Sequence, residues 1–413
     1  MTDLTSADPE TPHAPTDAPE PRLVDAPAEP LRPVVEDERT LREVVASVAA
    51  GSGPVALDAE RASGFRYGQK AYLVQLRRAG SGTWLIDPVM CPDLSELQEV
   101  VADVEWVLHA ASQDLPCLAE LGLHPRTLFD TELGSRLAGR PRVGLAAAME
   151  HYLGVTLAKE HSAQDWSTRP LPRPWLLYAA LDVELLVELR DAVAADLAEQ
   201  GKAAWAAQEF EALTHFRGPQ AKVDPWRKTS GLHKVRTRRG LAVVRELWLT
   251  RDAIAQDRDC SPGRVLPDSS LLELALPSGD RPRQPRSVAR NPQPWLAAID
   301  RAMTIPEEDL PAYHLPAEGP PPQRAWADKD PVAAARLVAA KEQVTALGEQ
   351  VRVPAENLLT PDTLRRVLWA PPVDESAEGF AEIMLDLGAR PWQASLVSPV
   401  VARVAQEHPY PHR

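Results

Sequence analysis

The chain has only three cysteines in 413 residues. Cys91, Cys117 and Cys260 form no CxxC pair, which argues against a disulfide framework and makes a reducing cytoplasm the expected compartment. Long apolar runs are also missing. No stretch approaches about 18 uninterrupted apolar residues, and the opening "MTDLTSADPE TPHAPTDAPE" lacks a basic region followed by an apolar core. No segment is expected to enter or cross a membrane. Positive charge is short as well: 45 Lys and Arg against 59 Asp and Glu give a formal net charge of −14, an unpromising balance for a nucleic-acid protein.

That deficit is unevenly spread. Residues 1–40 hold ten acids and three bases, for −7, and residues 1–37 read as a disordered, acidic, Pro-rich tail. Residues 217–251 hold ten bases (Arg217, Lys222, Arg227, Lys228, Lys234, Arg236, Arg238, Arg239, Arg245, Arg251) and two acids (Asp224, Glu246), for +8. With Trp226 and His233 nearby, this stretch reads as a surface for a nucleic-acid backbone, the alternative being the solvated face of a helix. Trp248 and Trp295 are expected in a helical core. The length predicts two or three domains, and the 41 prolines fall mostly between periodic segments, as linkers and turns.

From about residue 41 to 200 the pattern is α/β. "PVALDAE", "AYLVQLRR", "TWLIDPV" and "EWVLHAA" read as strands, and the first three lie too close in sequence for helical crossovers, so an antiparallel meander is expected. Helices are expected at about 93–102, 114–121, 130–138, 144–153 and 174–199. Beyond "HFRGPQAKVDPWRKTSG" the periodicity is helical only. Two stretches share one order, a long helix, a short linker and a Pro-Asp opening a Leu-rich helix (Pro267-Asp268 and Pro361-Asp362), so they read as two copies of a small module.

The segment "VALDAER" places two acids in a strand. Asp58 and Glu60 project from one face, while Val55, Leu57, Ala59 and Arg61 belong to the other. On the expected 174–199 helix Glu184, Glu188 and Asp191 make a solvated face, whereas Asp182 falls in the apolar stripe, with Tyr178 one turn before it. Asp114 follows a strand and opens a helix, where an acid either caps the helix or belongs to a site. Four carboxylates and a phenol suit Mg²⁺ or Mn²⁺, and two such ions can activate water and stabilise a leaving oxygen at a phosphodiester. His109 reads as a strand-end or core histidine, because hard divalent ions prefer oxygen. Lys159 and Arg169 lie in loops near these acids, where phosphate contact is one reading and a solvated loop the other.

The order Asp-x-Glu, "HAASQDL" and "QDWSTRPLPRPWLLYAALDVELL" resembles the ribonuclease D family of the DEDD superfamily of 3′-to-5′ exonucleases, and Tyr178 matches its tyrosine subgroup. The resemblance implies an α/β, ribonuclease-H-like mixed-sheet exonuclease domain over 38–205. Two small all-α HRDC-like domains would follow, at 220–303 and, as a divergent copy, at 325–408. It also implies roles. Asp58, Glu60 and Asp182 would bind the metal that holds the attacking water, Asp58 with Asp114 the second metal, and Tyr178 would orient the water. Lys159, Arg169, Arg227, Lys228, Lys234, Arg236, Arg238 and Arg239 are the expected RNA contacts. The implied activity is a two-metal 3′-to-5′ exoribonuclease that trims structured RNA such as tRNA precursors to nucleoside 5′-monophosphates. A DNA 3′-to-5′ exonuclease of repair and a non-catalytic RNA-binding scaffold are the alternatives.

Overall fold

The structure is a computed structural model that describes residues 21–158, 164–219, 223–276, 288, 290–315 and 319–410. Its centre is a five-stranded sheet in the order β4-β3-β2-β5-β6, formed by β2 (Ser52–Arg61), β3 (Ala71–Ala79), β4 (Gly82–Ile86), β5 (Trp106–Leu108) and β6 (Leu128–Asp130). The first three pair antiparallel, as the short gaps require. β5 joins β2 in parallel and β6 joins β5 in parallel, so the sheet is mixed. The β3–β4 hairpin turns through Gly80 at φ 82°, a left-handed conformation that favours glycine.

Helices α1 (Glu38–Ala50), α2 (Ser95–Val101), α3 (Leu115–Glu120), α4 (Thr131–Leu137), α5 (Leu145–Leu153), α6 (Arg173–Glu184), α7 (Leu186–Glu199) and α8 (Ala203–Thr214) complete the domain. Asp37 caps α1 by accepting from Thr40 N at 3.0 Å. The expected helix at 130–138 begins one residue later, because Leu128–Asp130 is the edge strand β6 and Asp130 is the cap of α4. The expected 174–199 helix is two helices, α6 and α7, broken at Leu185 (φ −117°, ψ 17°). The break overturns the solvated-face reading of Glu184. Its carboxylate is turned inward and 3% exposed, and it accepts from Ala28 N at 3.0 Å and pairs with Arg77 at 3.4 Å.

The disordered-tail reading of residues 1–37 is corrected over 21–37. There β1 (Arg22–Val24) pairs in parallel with β7 (Val155–Leu157). Arg32 stacks over Trp84 at 4.0 Å, and Val35 is fully buried beside Ile86. Composition sees charge and proline but not the sheet edge that supplies the partners. Residues 1–20 of the proposed tail lie outside the described residues.

The two helical regions attach differently. Residues from Trp326 to Ala405 share one continuous hydrophobic core with the α/β domain. Trp392 stacks on Trp205 at 5.0 Å and donates its indole N–H to Glu209 at 2.9 Å. The region opened by α9 (Arg238–Asp257) has its own core around Trp226, Leu247, Leu271 and Trp295. It meets the α/β domain through the β2–β3 loop, where Tyr67 donates to Asp252 at 3.1 Å and Ser261 N donates to Phe65 O at 3.3 Å.

Candidate active site

The C-terminal half of β2 brings Asp58 and Glu60 to the face covered by α6, and α6 brings Tyr178 and Asp182 down onto them. Oxygens of Asp58, Glu60 and Asp182 all lie within 4.8 Å of one another. Asp114 closes the far side. Its side chain does not cap α3; it is 4% exposed and faces Arg61, whose Nη2 is 3.7 Å from Asp114 Oδ1. These side chains line a cleft of about 210 Å³ that also takes in His109 and Gln113. A larger, mostly apolar cavity of about 500 Å³ between β6, α7 and α8 holds no such cluster of acids. Size and chemistry point to different places here, and the chemistry selects the smaller cleft.

Arg61 departs from the alternation expected of a regular strand. The β2–β3 register shifts between Glu60 and Arg61, and such an irregularity re-aims the side chain beside it, here toward Asp114. A second turn is held by Asp130, 3% exposed, whose carboxylate accepts from Ala110 N and Ala111 N at 3.0 and 2.9 Å. These bonds fix the left-handed Ala110 (φ 60°) at the head of the turn that delivers Asp114. Sequence reasoning missed Asp130, although an acid ahead of a helix is a capping signal.

The electrostatics follow from crowding. Two like charges at such a separation repel by roughly 3 kcal/mol at an effective dielectric of about 20, and among the described residues only the Arg61 guanidinium faces the group. Burial, joined by the charges of Asp58, Asp182 and Asp114, pushes Glu60 up to about 10. Burial likewise raises Asp58, and burial with the charge of Asp58 raises Asp114 and Asp182 well above the carboxylate range. The Tyr178 phenol is driven above its ordinary value by burial and by the charge of Asp182. His109 directly follows β5, a strand-end position as expected, with Nδ1 2.8 Å from Thr131 Oγ1, and burial lowers it to about 4, so it is neutral near pH 7. A buried set of hard oxygen donors that cannot ionise together fits a divalent cation.

The expected RNA contacts divide. Lys159 lies outside the described residues. Arg169 is corrected: its guanidinium grips the fully buried Asp87 in a fork at 2.6 and 2.9 Å and donates to Tyr72 O and Trp166 O, each at 2.8 Å. Arg238 and Arg239 are also turned to the protein. They donate to Leu310 O at 2.5 Å and Ile305 O at 2.6 Å, and Arg239 pairs with Glu307. Arg227 pairs with Asp224 at 2.8 Å and stacks over Trp226 at 4.4 Å, and Trp226 is itself core. Carbonyls at the ends of neighbouring helices attract arginines, which a count of bases cannot reveal. Lys228, Lys234 and Arg236 are exposed. Trp295 is buried, with Trp248 packed against the same core.

The mixed sheet and acid cleft define a 3′-to-5′ exonuclease. A family model described as 3′-5′ exonuclease matches residues 33–198, one for the HRDC domain matches 240–286, and one for the 3′ to 5′ exonuclease C-terminal domain matches 319–404. Ribonuclease D of Jannaschia sp. is 30% identical over 288 residues, 64% of this chain and 72% of that protein. Ribonuclease D of Escherichia coli is 28% identical over 368 residues, 86% and 93% respectively. Among solved structures, a protein from Bifidobacterium adolescentis shares 38% identity at a TM-score of 0.83, covering 94% of this chain and all of its own. The ribonuclease D of Escherichia coli, described as an exoribonuclease involved in structured RNA processing, shares 26% at 0.65, covering 92% and 99%. The chain belongs to the ribonuclease D family, and with it is a 3′-to-5′ exoribonuclease. Among the described residues no helix is long and apolar enough to cross a membrane.

Proposed function

We propose that the chain is a cytoplasmic two-metal exoribonuclease that trims the 3′ ends of structured RNA, tRNA precursors among them, and releases nucleoside 5′-monophosphates. Asp58, Glu60 and Asp182 hold one divalent ion, and Asp58 with Asp114 a second, either Mg²⁺ or Mn²⁺. Ions held there would supply water activation and neutralise charge at the phosphodiester. The observation that carries the reading is the approach of three carboxylates within 4.8 Å in a cleft that, among the described residues, only Arg61 faces with a positive charge. Tyr178, kept protonated by its surroundings, is a hydrogen-bond donor and not a base, so it orients the water. Lys228, Lys234 and Arg236 supply sequence-tolerant contacts to the RNA backbone. The domain limits 38–205, 220–303 and 325–408 belong to the same proposal.

The test is digestion of a 5′-labelled RNA with a single-stranded 3′ tail in Mg²⁺, in Mn²⁺ and in chelator, beside the same sequence as DNA. A metal-dependent ladder shortening from the 3′ end of the RNA is expected. Asp58→Asn and Asp182→Asn should each lower the rate by more than about 100-fold while leaving RNA binding largely intact. Full activity in Asp182→Asn would overturn the metal-site assignment, and an equal ladder on DNA would overturn the substrate class.

A further inference from the structure

We propose that Arg61 is a substrate-binding residue of this cleft: its guanidinium exchanges Asp114 for a non-bridging phosphate oxygen of the RNA when a divalent ion takes the carboxylate. The inference rests on the reading of the acid cleft as the metal site.

An arginine carries five N–H donors in a rigid fork. Those of Arg61 have no hydrogen-bond partner among the described residues. Its one ionic contact among those residues, Nη2 to Asp114 Oδ1 at 3.7 Å, is too long to be a hydrogen bond. Arg169 and Arg77, buried to a similar degree in this domain, behave differently. Arg169 spends its donors on Asp87 and carbonyls, and Arg77 bonds Thr83 Oγ1 at 2.9 Å and pairs with Glu184. The Arg61 side chain is a quarter exposed and borders the cleft beside Tyr178 and Asp182. A guanidinium three-quarters removed from water with its donors unspent is costly unless a ligand takes them.

Asp114 cannot hold both cations at close range. A divalent ion in contact with its carboxylate outweighs a single charge 3.7 Å away, and it also repels the guanidinium. The freed fork then stands one residue from Glu60, at the rim where the phosphodiester must lie. Planar, bidentate recognition of phosphate is what this side chain does best.

The test uses the full chain with Arg61→Gln and Arg61→Lys. Mn²⁺ binding is measured by calorimetry without RNA. Binding of a 3′-tailed RNA is measured by anisotropy in Ca²⁺, and kcat and KM in Mn²⁺. Arg61→Gln should bind Mn²⁺ about fivefold more tightly, because a competing charge is gone. It should bind the RNA about tenfold more weakly. Arg61→Lys should keep the parent's Mn²⁺ affinity, because its charge remains, and recover only part of the RNA affinity, because the fork does not. Parental RNA affinity and KM in Arg61→Gln would overturn the proposal, and unchanged Mn²⁺ affinity would overturn the exchange with Asp114. Should the Gln variant fail to fold, Arg61→Lys decides alone, since parental RNA affinity there rules out a fork on phosphate. Asp182→Asn is the control: if it retains both Mn²⁺ binding and turnover, the metal site itself is misassigned and Arg61 is not at issue.

Discussion

Gln75 stands directly opposite Asp58 in the β2–β3 ladder, fully buried, with neither its amide N–H₂ nor its carbonyl oxygen partnered among the described residues. Opposed residues in an antiparallel pair share a face, so this amide lies on the side of the sheet that carries the acids.

An unpartnered buried amide costs about 1–3 kcal/mol. Gln75→Met, of similar length and apolar, is expected to raise unfolding stability by about 1 kcal/mol in urea titration of the metal-free protein. A loss of stability of that size would mean the amide is bonded in solution.

Tyr178 packs its ring against the buried Trp166 at 6.5 Å, so Tyr178→Phe should keep the fold. Its kcat is expected to fall about 10- to 100-fold with Mn²⁺ affinity unchanged, because the carboxylates remain. Lost Mn²⁺ binding, read by calorimetry, would show that the phenol shapes the metal site and does not merely orient water.

Arg169 is a structural clamp, and its removal leaves a buried charge unpaired. Arg169→Ala should cost about 3 kcal/mol of stability, while a destabilised but folded sample should bind RNA like the parent. Unaltered stability with weakened RNA binding would restore the substrate-contact reading.

The raised carboxylates set a pH dependence. Glu60 moves from its ordinary 4.5 to about 10 in the folded chain. Above pH 4.5 the unfolded chain therefore releases a proton that the folded, metal-free chain keeps, and stability from this group falls as pH rises toward 10. Divalent ions replace those protons. The rise in melting temperature on adding Mn²⁺ should thus be larger at about pH 8 than at about pH 5.5. Equal rises at both values would separate metal binding from these carboxylates.

Much of the architecture was legible. The meander follows from three β-rich runs too close for crossovers, and the strand position of Asp58 and Glu60 from alternation. Asp182 stood out because a carboxylate in an apolar stripe needs a reason. The short strands β1, β6 and β7 were not legible: unlike β5, which lies within the apolar run "EWVLHAA", each is three residues outside any marked run, and their hydrogen bonds go to distant parts of the chain. Nor was the break at Leu185. It interrupts a continuous helical pattern and converts Glu184 from a surface charge to the buried partner of Arg77 and Ala28 N.

The sequence by itself determined which groups could do chemistry and in what order they occur. Residue type and the periods of strand and helix are local properties, readable within one turn or one strand. Only the tertiary structure decided which of those groups are free to act. It committed Arg169 to Asp87 and Arg239 to the carbonyls around Ile305, brought Asp130 beneath the turn that carries Asp114, and left Arg61 facing the acids with its donors unspent. Each outcome depends on a partner far away in the chain, and the energy that selects it appears only once the chain has closed on itself.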